Sequence, residues 1–214
     1  MSAVTTTHAP AHAETQHGLP YAQQLRANRL GLWLFCFSEL FLLGALLASR
    51  FVLWGNTRPD LSQVMGLVAT SVLLLSSFFM YRAEMGAAYG DRSKFLNGAL
   101  MAAALGTLFF IMVVVLEWNV FGLEGSLFGV ELFGHLTPAD GVYGGIFFAM
   151  TGMHALHVLT GIALILIIWW NGRRGRFTPE SHWGVEATAI YWHFVDVVWV
   201  FFYPALYLMG HLVQ

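Results

Sequence analysis

Five long apolar stretches constrain this chain more than any other feature. They cover residues 30–53, 63–81, 95–120, 142–170 and 185–212. A helix crosses the hydrocarbon core of a bilayer with about 20 predominantly apolar residues, and each stretch is close to that length or longer. Only 10% of the chain is charged, against roughly a quarter in soluble domains. The sequence therefore predicts an all-α integral membrane protein, a bundle of five transmembrane helices.

The basic residues are distributed unevenly among the segments that connect these stretches. Eight of them lie on one side of a five-span arrangement: Arg26, Arg29, Arg82, Arg92, Lys94, Arg173, Arg174 and Arg176. The other side has only Arg50 and Arg58. Because cytoplasmic loops carry the excess of Lys and Arg, we expect the N-terminus in the cytoplasm and the C-terminus outside.

Residues 1–28 are polar and lack the apolar core of a secretory signal peptide, so we expect an N-terminal tail, disordered or partner-bound, before a membrane domain at 29–214. Three tail histidines, His8, His12 and His17, offer possible metal ligands, but a solvated tail is the favoured interpretation. Cys36 is the single cysteine, which excludes an internal disulfide. The basic residues lie beside apolar runs, so nucleic-acid binding is not expected.

Small residues predict where helices approach each other closely. In the third helix they recur every four positions, at Gly98, Ala102 and Gly106. Gly145 and Ala149 suggest a similar stripe on the fourth helix. Pro204 removes a backbone donor late in the fifth helix and predicts a kink there.

Acids and imidazoles within the apolar stretches are the candidates for function, because burying a charge at mid-membrane costs about 2.5–3.5 kcal/mol on insertion scales. These candidates are Glu39, Glu117, His154, His157, Glu186, His193 and Asp196. Each needs a partner, and the spacing suggests some of the groupings.

Helical spacing places several candidates on shared faces. His193 and Asp196 are three residues apart, and Glu186 lies seven residues before His193, so all three are expected on one face of the fifth helix. His154 and His157 are also three apart and are expected to be neighbours on the fourth helix.

Glu39 has no comparable polar companion in its own helix. We hypothesise that an imidazole from the fourth or fifth helix holds it. The favoured interpretation of all seven residues is a buried polar network that holds the helices together. A proton relay and a metal or haem site stay open as alternatives. However, two histidines three apart on one helix cannot be opposite axial ligands of one haem, and no metal motif of recognisable spacing is present.

Four segments carry a resemblance to a known family. Residues 186–199 follow the pattern E-x-x-x-x-Y-W-H-F-V-D-x-x-W, and Gly152 to Val158 follow G-x-H-x-x-H-V. Ser38-Glu39 and Glu117-Trp118 resemble two further segments of the same family. The matches occur in order in four of the five helices. The chain thus resembles subunit III of the haem–copper oxidases, in the five-helix bacterial form, whether cytochrome c or quinol oxidising.

The resemblance implies an accessory subunit that carries no haem, copper or catalytic residue of its own. It implies a bacterial inner-membrane location, subunit I as the main partner and holder of haem and copper, and contact with subunit II. Contact with a small fourth subunit and membership of a respiratory supercomplex are left open. It also implies bound structural phospholipids and a role in proton uptake. Glu39 would correspond to the family's carbodiimide-reactive carboxylate. Longer members have two additional N-terminal helices that form a lipid-holding cleft, so an internal cleft is in doubt here.

Two other functions compete with this interpretation. A small membrane cytochrome b would use the mid-membrane histidines as haem ligands. A transporter would be expected to show broken helices or an inverted repeat near the midplane, and the sequence shows neither. The choice between cytochrome c and quinol as electron donor is left open.

Overall fold

The computed structural model describes residues 21–58, 61–119, 121, 126–127, 130–131 and 136–212. Within this part of the chain, five helices are long and apolar enough to cross a membrane, which confirms the predicted all-α architecture. They are α1 (Tyr21–Trp54), α2 (Gln63–Ala88), α3 (Arg92–Ile111), α4 (Gly141–Arg173) and α5 (Trp183–Tyr203).

Two of these helices continue into short π-helical segments. The first π segment, Met112–Glu117, follows α3, and the second, Pro204–Leu208, follows α5. Pro204 has no backbone N–H to donate, so the irregularity expected at this residue takes the form of a change of helical type.

Short strand pairs close two of the connections. β1 (Thr57–Arg58) pairs in parallel with β4 (His211–Leu212), and β2 (Ser126–Leu127) pairs antiparallel with β3 (Val130–Glu131). The β1–β4 pair brings the end of the chain back to the turn between α1 and α2.

The first helix begins earlier than expected. The polar tail was expected to reach residue 28, but α1 already starts at Tyr21. Residues 1–20, which include His8, His12 and His17, lie outside the described residues. The later boundaries follow capping chemistry: the Ser62 hydroxyl accepts from the Met65 N–H, and the Asp91 carboxylate accepts from the Lys94 N–H at 2.9 Å.

The helices α2, α3, α4 and α5 form a ring around the core, and α1 lies outside it. α2 packs against α3 and α5, and α4 also packs against α3 and α5, whereas α1 contacts α4 and α5. Leu73, Phe147, Trp192 and Trp199 are fully buried within the ring. The side chains of the ring are therefore well enclosed, while most of α1 faces outward.

Glycine permits the closest helix contacts, as predicted for α3. A Cβ at Gly98 would lie 2.8 Å from the Ala83 backbone nitrogen of α2, and one at Gly106 would lie 2.7 Å from the Trp192 ring of α5. The stripe predicted on α4 is wrong. Gly145 and Ala149 are exposed, and a Cβ at Gly145 would meet nothing within 4 Å. The adjacent Gly144 is the buried one, because the packed face of α4 is displaced by one residue.

Candidate functional site

The only hydrogen bond between α1 and α4 among the described residues joins Glu39 to His157. The His157 Nε2 lies 3.1 Å from the Glu39 Oε2, and both side chains are mostly buried. This is the kind of partner hypothesised for Glu39. On the other side of the imidazole ring, His157 Nδ1 lies 2.8 Å from the Met153 carbonyl oxygen. Since a carbonyl can only accept, Nδ1 carries a proton.

Those two contacts limit the pair to two arrangements of its protons. A hydrogen bond between Nε2 and the carboxyl group needs a proton, which resides either on Glu39 or on His157. In the first case both groups are neutral, and in the second an imidazolium faces a carboxylate. Both arrangements leave the pair without net charge, so burial does not demand a third partner.

A third helix joins at the same place. The Tyr191 hydroxyl of α5 donates to the His157 backbone carbonyl at 3.2 Å. The surroundings of His157 therefore fix α1, α4 and α5 relative to one another.

His193 and Asp196 both face Ser77 of α2, so the prediction that they share one face is confirmed. The Ser77 hydroxyl lies 3.0 Å from His193 Nδ1, and Ser77 also contacts the Asp196 carboxylate. One carboxylate oxygen of Asp196 is buried without a hydrogen-bond partner among the described residues. These contacts stabilise the packing of α5 against α2.

Glu186 does not join that group. Its carboxylate accepts two hydrogen bonds from the Arg29 guanidinium of α1, at 2.8 and 2.9 Å. The seven residues between Glu186 and His193 correspond to roughly 10 Å along a helix, which is too far for direct contact. A cation from another helix is therefore its partner.

His154 and His157, expected as neighbours on one face of α4, are close in the chain but lie in different surroundings. His154 is buried in the ring and stacks on Trp199, with centroids 4.8 Å apart, while Phe109 meets it edge-on. Neither ring nitrogen has a hydrogen-bond partner among the described residues. Residues three apart on a helix point about 60° apart, which is enough here to direct one imidazole to the core and the other to α1.

Glu117 lies at the end of the first π segment and is buried. The Tyr207 hydroxyl, in the second π segment, donates to its carboxylate. Both side chains are buried, so this single contact joins the two π segments across the bundle.

The most enclosed charge in the described residues is not among the seven candidates. Arg50, which was grouped with the basic residues on the outer side of the membrane, is 1% exposed within α1. Its guanidinium donates to the Ala205 and Met209 carbonyls, both at 2.6 Å, and to the Gly55 carbonyl at 2.9 Å. Backbone acceptors leave no pattern in a sequence. The only available signal was an arginine followed by Phe51 and Trp54, whose rings both lie beside the guanidinium.

Six of the seven candidate residues thus make polar contacts between helices, at several separate places, whereas His154 packs among aromatic rings. Among the described residues, no group of three or more His, Cys, Asp and Glu side chains is placed to hold a metal ion.

Comparison with known proteins identifies the family. The model of the family described as cytochrome c oxidase subunit III matches residues 10–211. Cytochrome c oxidase subunit 3 of Synechocystis sp. is 31% identical over 214 residues, covering 97% of this chain and 84% of the relative. The chain belongs to the cytochrome c oxidase subunit III family. The resemblance seen in the sequence motifs is therefore confirmed.

Mammalian members of the family are longer. Subunit 3 of Tragelaphus imberbis is 38% identical, and that of Hippopotamus amphibius 37% identical, over 144 residues. Each alignment covers 67% of this chain but only 50% of the relative. The chain thus spans about half the length of these subunit III relatives.

Proposed function

We propose that this subunit III is an accessory subunit of a proton-pumping haem–copper terminal oxidase in aerobic respiratory electron transport. The match to the family over residues 10–211 carries the proposal. In this role the chain packs beside subunit I, contacts subunit II and a small fourth subunit, and stabilises the catalytic subunit with its phospholipids and its proton uptake. The distribution of basic residues supports a bacterial inner-membrane location with the N-terminus in the cytoplasm.

The geometry of the mid-membrane histidines supports a role without haem or copper in this chain. Both nitrogens of His157 are occupied, one by the Met153 carbonyl and one by Glu39. His154 is enclosed by aromatic rings, with Trp199 stacked on its face, and an axial haem ligand needs space along its nitrogen lone pair. Haem and copper belong, on this proposal, to the partner subunits.

The polar contacts described above support a holding function for the candidate residues other than His154, which has no hydrogen-bond partner among the described residues. Apolar helices gain little from associating in lipid, because the lipid tails are as apolar as the side chains. Hydrogen bonds between helices therefore contribute to the choice of neighbours. The Glu39–His157 pair, which shares a proton without net charge, is also the contact that best suits a link to proton uptake.

Isolation of the oxidase tests the proposal. The full chain carrying an affinity tag is expressed in its own cell, extracted in mild detergent and captured, and the copurifying proteins are identified by mass spectrometry. We expect the haem–copper subunit I and subunit II in the eluate. An eluate without any haem–copper subunit contradicts the proposal.

A visible spectrum of the chain purified alone separates the two leading functions. An accessory subunit gives no haem absorption, whereas a small cytochrome b gives a strong Soret band. The names of the relatives favour cytochrome c over quinol as the donor, so the captured oxidase should oxidise reduced cytochrome c.

A further inference from the structure

The first helix is attached to the rest of the bundle very unevenly. In its most apolar 18-residue window 11% of residues are buried, against 33–56% in the other four helices. Between residues 23 and 42 only Cys36 is buried. Eight large apolar side chains of this N-terminal half of α1 are 43–67% exposed: Leu30, Trp33, Leu34, Phe35, Phe37, Leu40, Phe41 and Leu42.

A gap separates this N-terminal half of α1 from α5. An apolar groove of about 470 Å³ lies between α1 and α5, lined by residues that include Trp33, Phe37, Phe194 and Phe201. Apolar packing therefore contributes little to the attachment of the N-terminal half of α1.

Polar contacts are spaced regularly along the inward face of α1. Arg29 binds Glu186, Glu39 binds His157, and Arg50 binds backbone carbonyls. The three α1 residues are separated by ten and eleven positions, about three helical turns each, so they share a face. The Arg29 side chain is half exposed and its partner Glu186 is mostly buried. The Glu39–His157 pair is mostly buried, and Arg50 is enclosed.

Arg50 makes the strongest of these contacts because its partners are carbonyl groups at a helix end, which lack a donor within the helix. The Ala205 carbonyl lies in the second π segment and that of Met209 directly follows it. A guanidinium presents five donors in a fixed fork, and here it binds both carbonyls together with the turn that follows α1.

We propose that α1 is a hinged helix. Arg50 fixes its C-terminal end to the four-helix ring, and its N-terminal half can leave the ring before the ring itself unfolds. Its N-terminal end is held by an ion pair whose arginine is half exposed and whose carboxylate is mostly buried, and access of water to the arginine weakens this pair. Among the described residues, α1 contributes Leu43 and Trp54 to the buried core, both from its C-terminal half. The hinge therefore lets the N-terminal half of α1 change position with little disturbance of the core of α2 to α5.

Cys36 provides a native reporter, since it is the single cysteine and is buried on the inward face of α1. The full chain in lipid nanodiscs is heated with a fluorogenic maleimide, and the temperature at which the thiol reacts is measured. The matched reporter for the ring is Cys36→Ala/Ser76→Cys, because Ser76 is buried between α2 and α3 and far from α1. We expect Cys36 to react at the lower temperature, and equal temperatures for the two reporters overturn the hinge.

Substitution at the anchor tests the role of Arg50. Arg50→Gln should lower the midpoint for Cys36 by about 10 °C and leave the Ser76→Cys reporter unchanged. Arg50→Lys, which keeps the charge but loses the fork, should give a smaller shift. Arg58→Gln is the control, because the described residues give Arg58 a single long hydrogen bond, to the Gly210 carbonyl at 3.3 Å. An equal fall for both reporters, or no fall for either, contradicts the anchoring role. If Arg50→Gln does not fold, the comparison of the two reporters in the unmodified background still decides the hinge.

Discussion

The Glu39–His157 pair can be tested by removing its members singly and together. Glu39→Met leaves the imidazole Nε2 without a partner, and His157→Leu leaves the carboxyl group without one. An unsatisfied buried polar group costs about 1–3 kcal/mol. Because the side chains here are 20% and 12% exposed, we expect values in the lower half of that range. The double variant removes both polar groups and should cost much less than the sum of the single costs.

The quantity to measure is the coupling free energy from this double-mutant cycle. Hydrogen bonds between membrane helices couple by about 0.6 kcal/mol on average and about 1.7 kcal/mol at most. We expect a value of about 1 kcal/mol or more, since the pair satisfies two groups that have few other partners. Reversible unfolding in lipid–detergent micelles titrated with dodecyl sulfate, followed by circular dichroism, gives the four free energies.

A control cycle combines Glu39→Met with Ser77→Ala, on a different pair of helices. That cycle should be additive within about 0.5 kcal/mol. If the Glu39 and His157 costs are also additive within that margin, the hydrogen bond at 3.1 Å does not hold α1 to α4, and the reasoning is refuted.

Three further predictions follow from the packing and the hydrogen bonds. Gly106→Val should lower the free energy of unfolding by about 1–3 kcal/mol, because even a Cβ there would lie 2.7 Å from an indole of α5. Gly44→Val, where a Cβ meets nothing within 4 Å, should be tolerated in the same titration. Tyr207→Phe should destabilise by about 1–3 kcal/mol, since it leaves Glu117 buried without its donor; recovery of most of this loss by Glu117→Met in the same chain would confirm the cause. Arg29→Gln should cost less than about 1 kcal/mol, and the cost should shrink as salt is added, because the ion pair is half exposed.

The membrane architecture could be predicted because it depends on length and composition. Five apolar runs predict five spans, and several observed boundaries lie within a few residues of them, as in Gly141–Arg173 against 142–170. The helical segments that were expected to reach residues 120 and 212 stop earlier, at Glu117 and Leu208. The largest extensions are the end of α2, at Ala88, and the start of α1, at Tyr21 in the polar segment. Polar residues at a helix end face water and headgroups, so apolar content does not mark where the helix begins.

The partners of the buried polar residues were less predictable. Spacing correctly placed His193 and Asp196 on one face but could not show that Glu186, on the same face, would bind Arg29 of another helix. The same limit applies to Gly145, which has the right spacing for a helix contact but lies on the exposed side. Periodicity gives the relative angle of two residues, whereas the direction of the packed face depends on the neighbouring helices.

The contacts of Arg50 are the part of the structure that was least predictable from the sequence. Its partners are backbone carbonyls at a helix end, and any sequence that ends a helix at that point supplies them. Only the return of the chain to the α1–α2 turn, fixed by the β1–β4 pair, brings those carbonyls to the arginine.

The distribution of polar contacts explains how a chain of such uniform apolarity acquires one arrangement of helices. Small residues bring α2 and α3 together, and the Ser76 hydroxyl donates to the Ala102 carbonyl within that contact. Trp199 donates to Thr70 to join α5 to α2. In each case a misplaced neighbour would leave a donor or acceptor unsatisfied in hydrocarbon, where water cannot replace the partner. The α1 helix follows the same rule with the fewest apolar contacts, so its position depends most on Arg50 and on the Glu39–His157 pair.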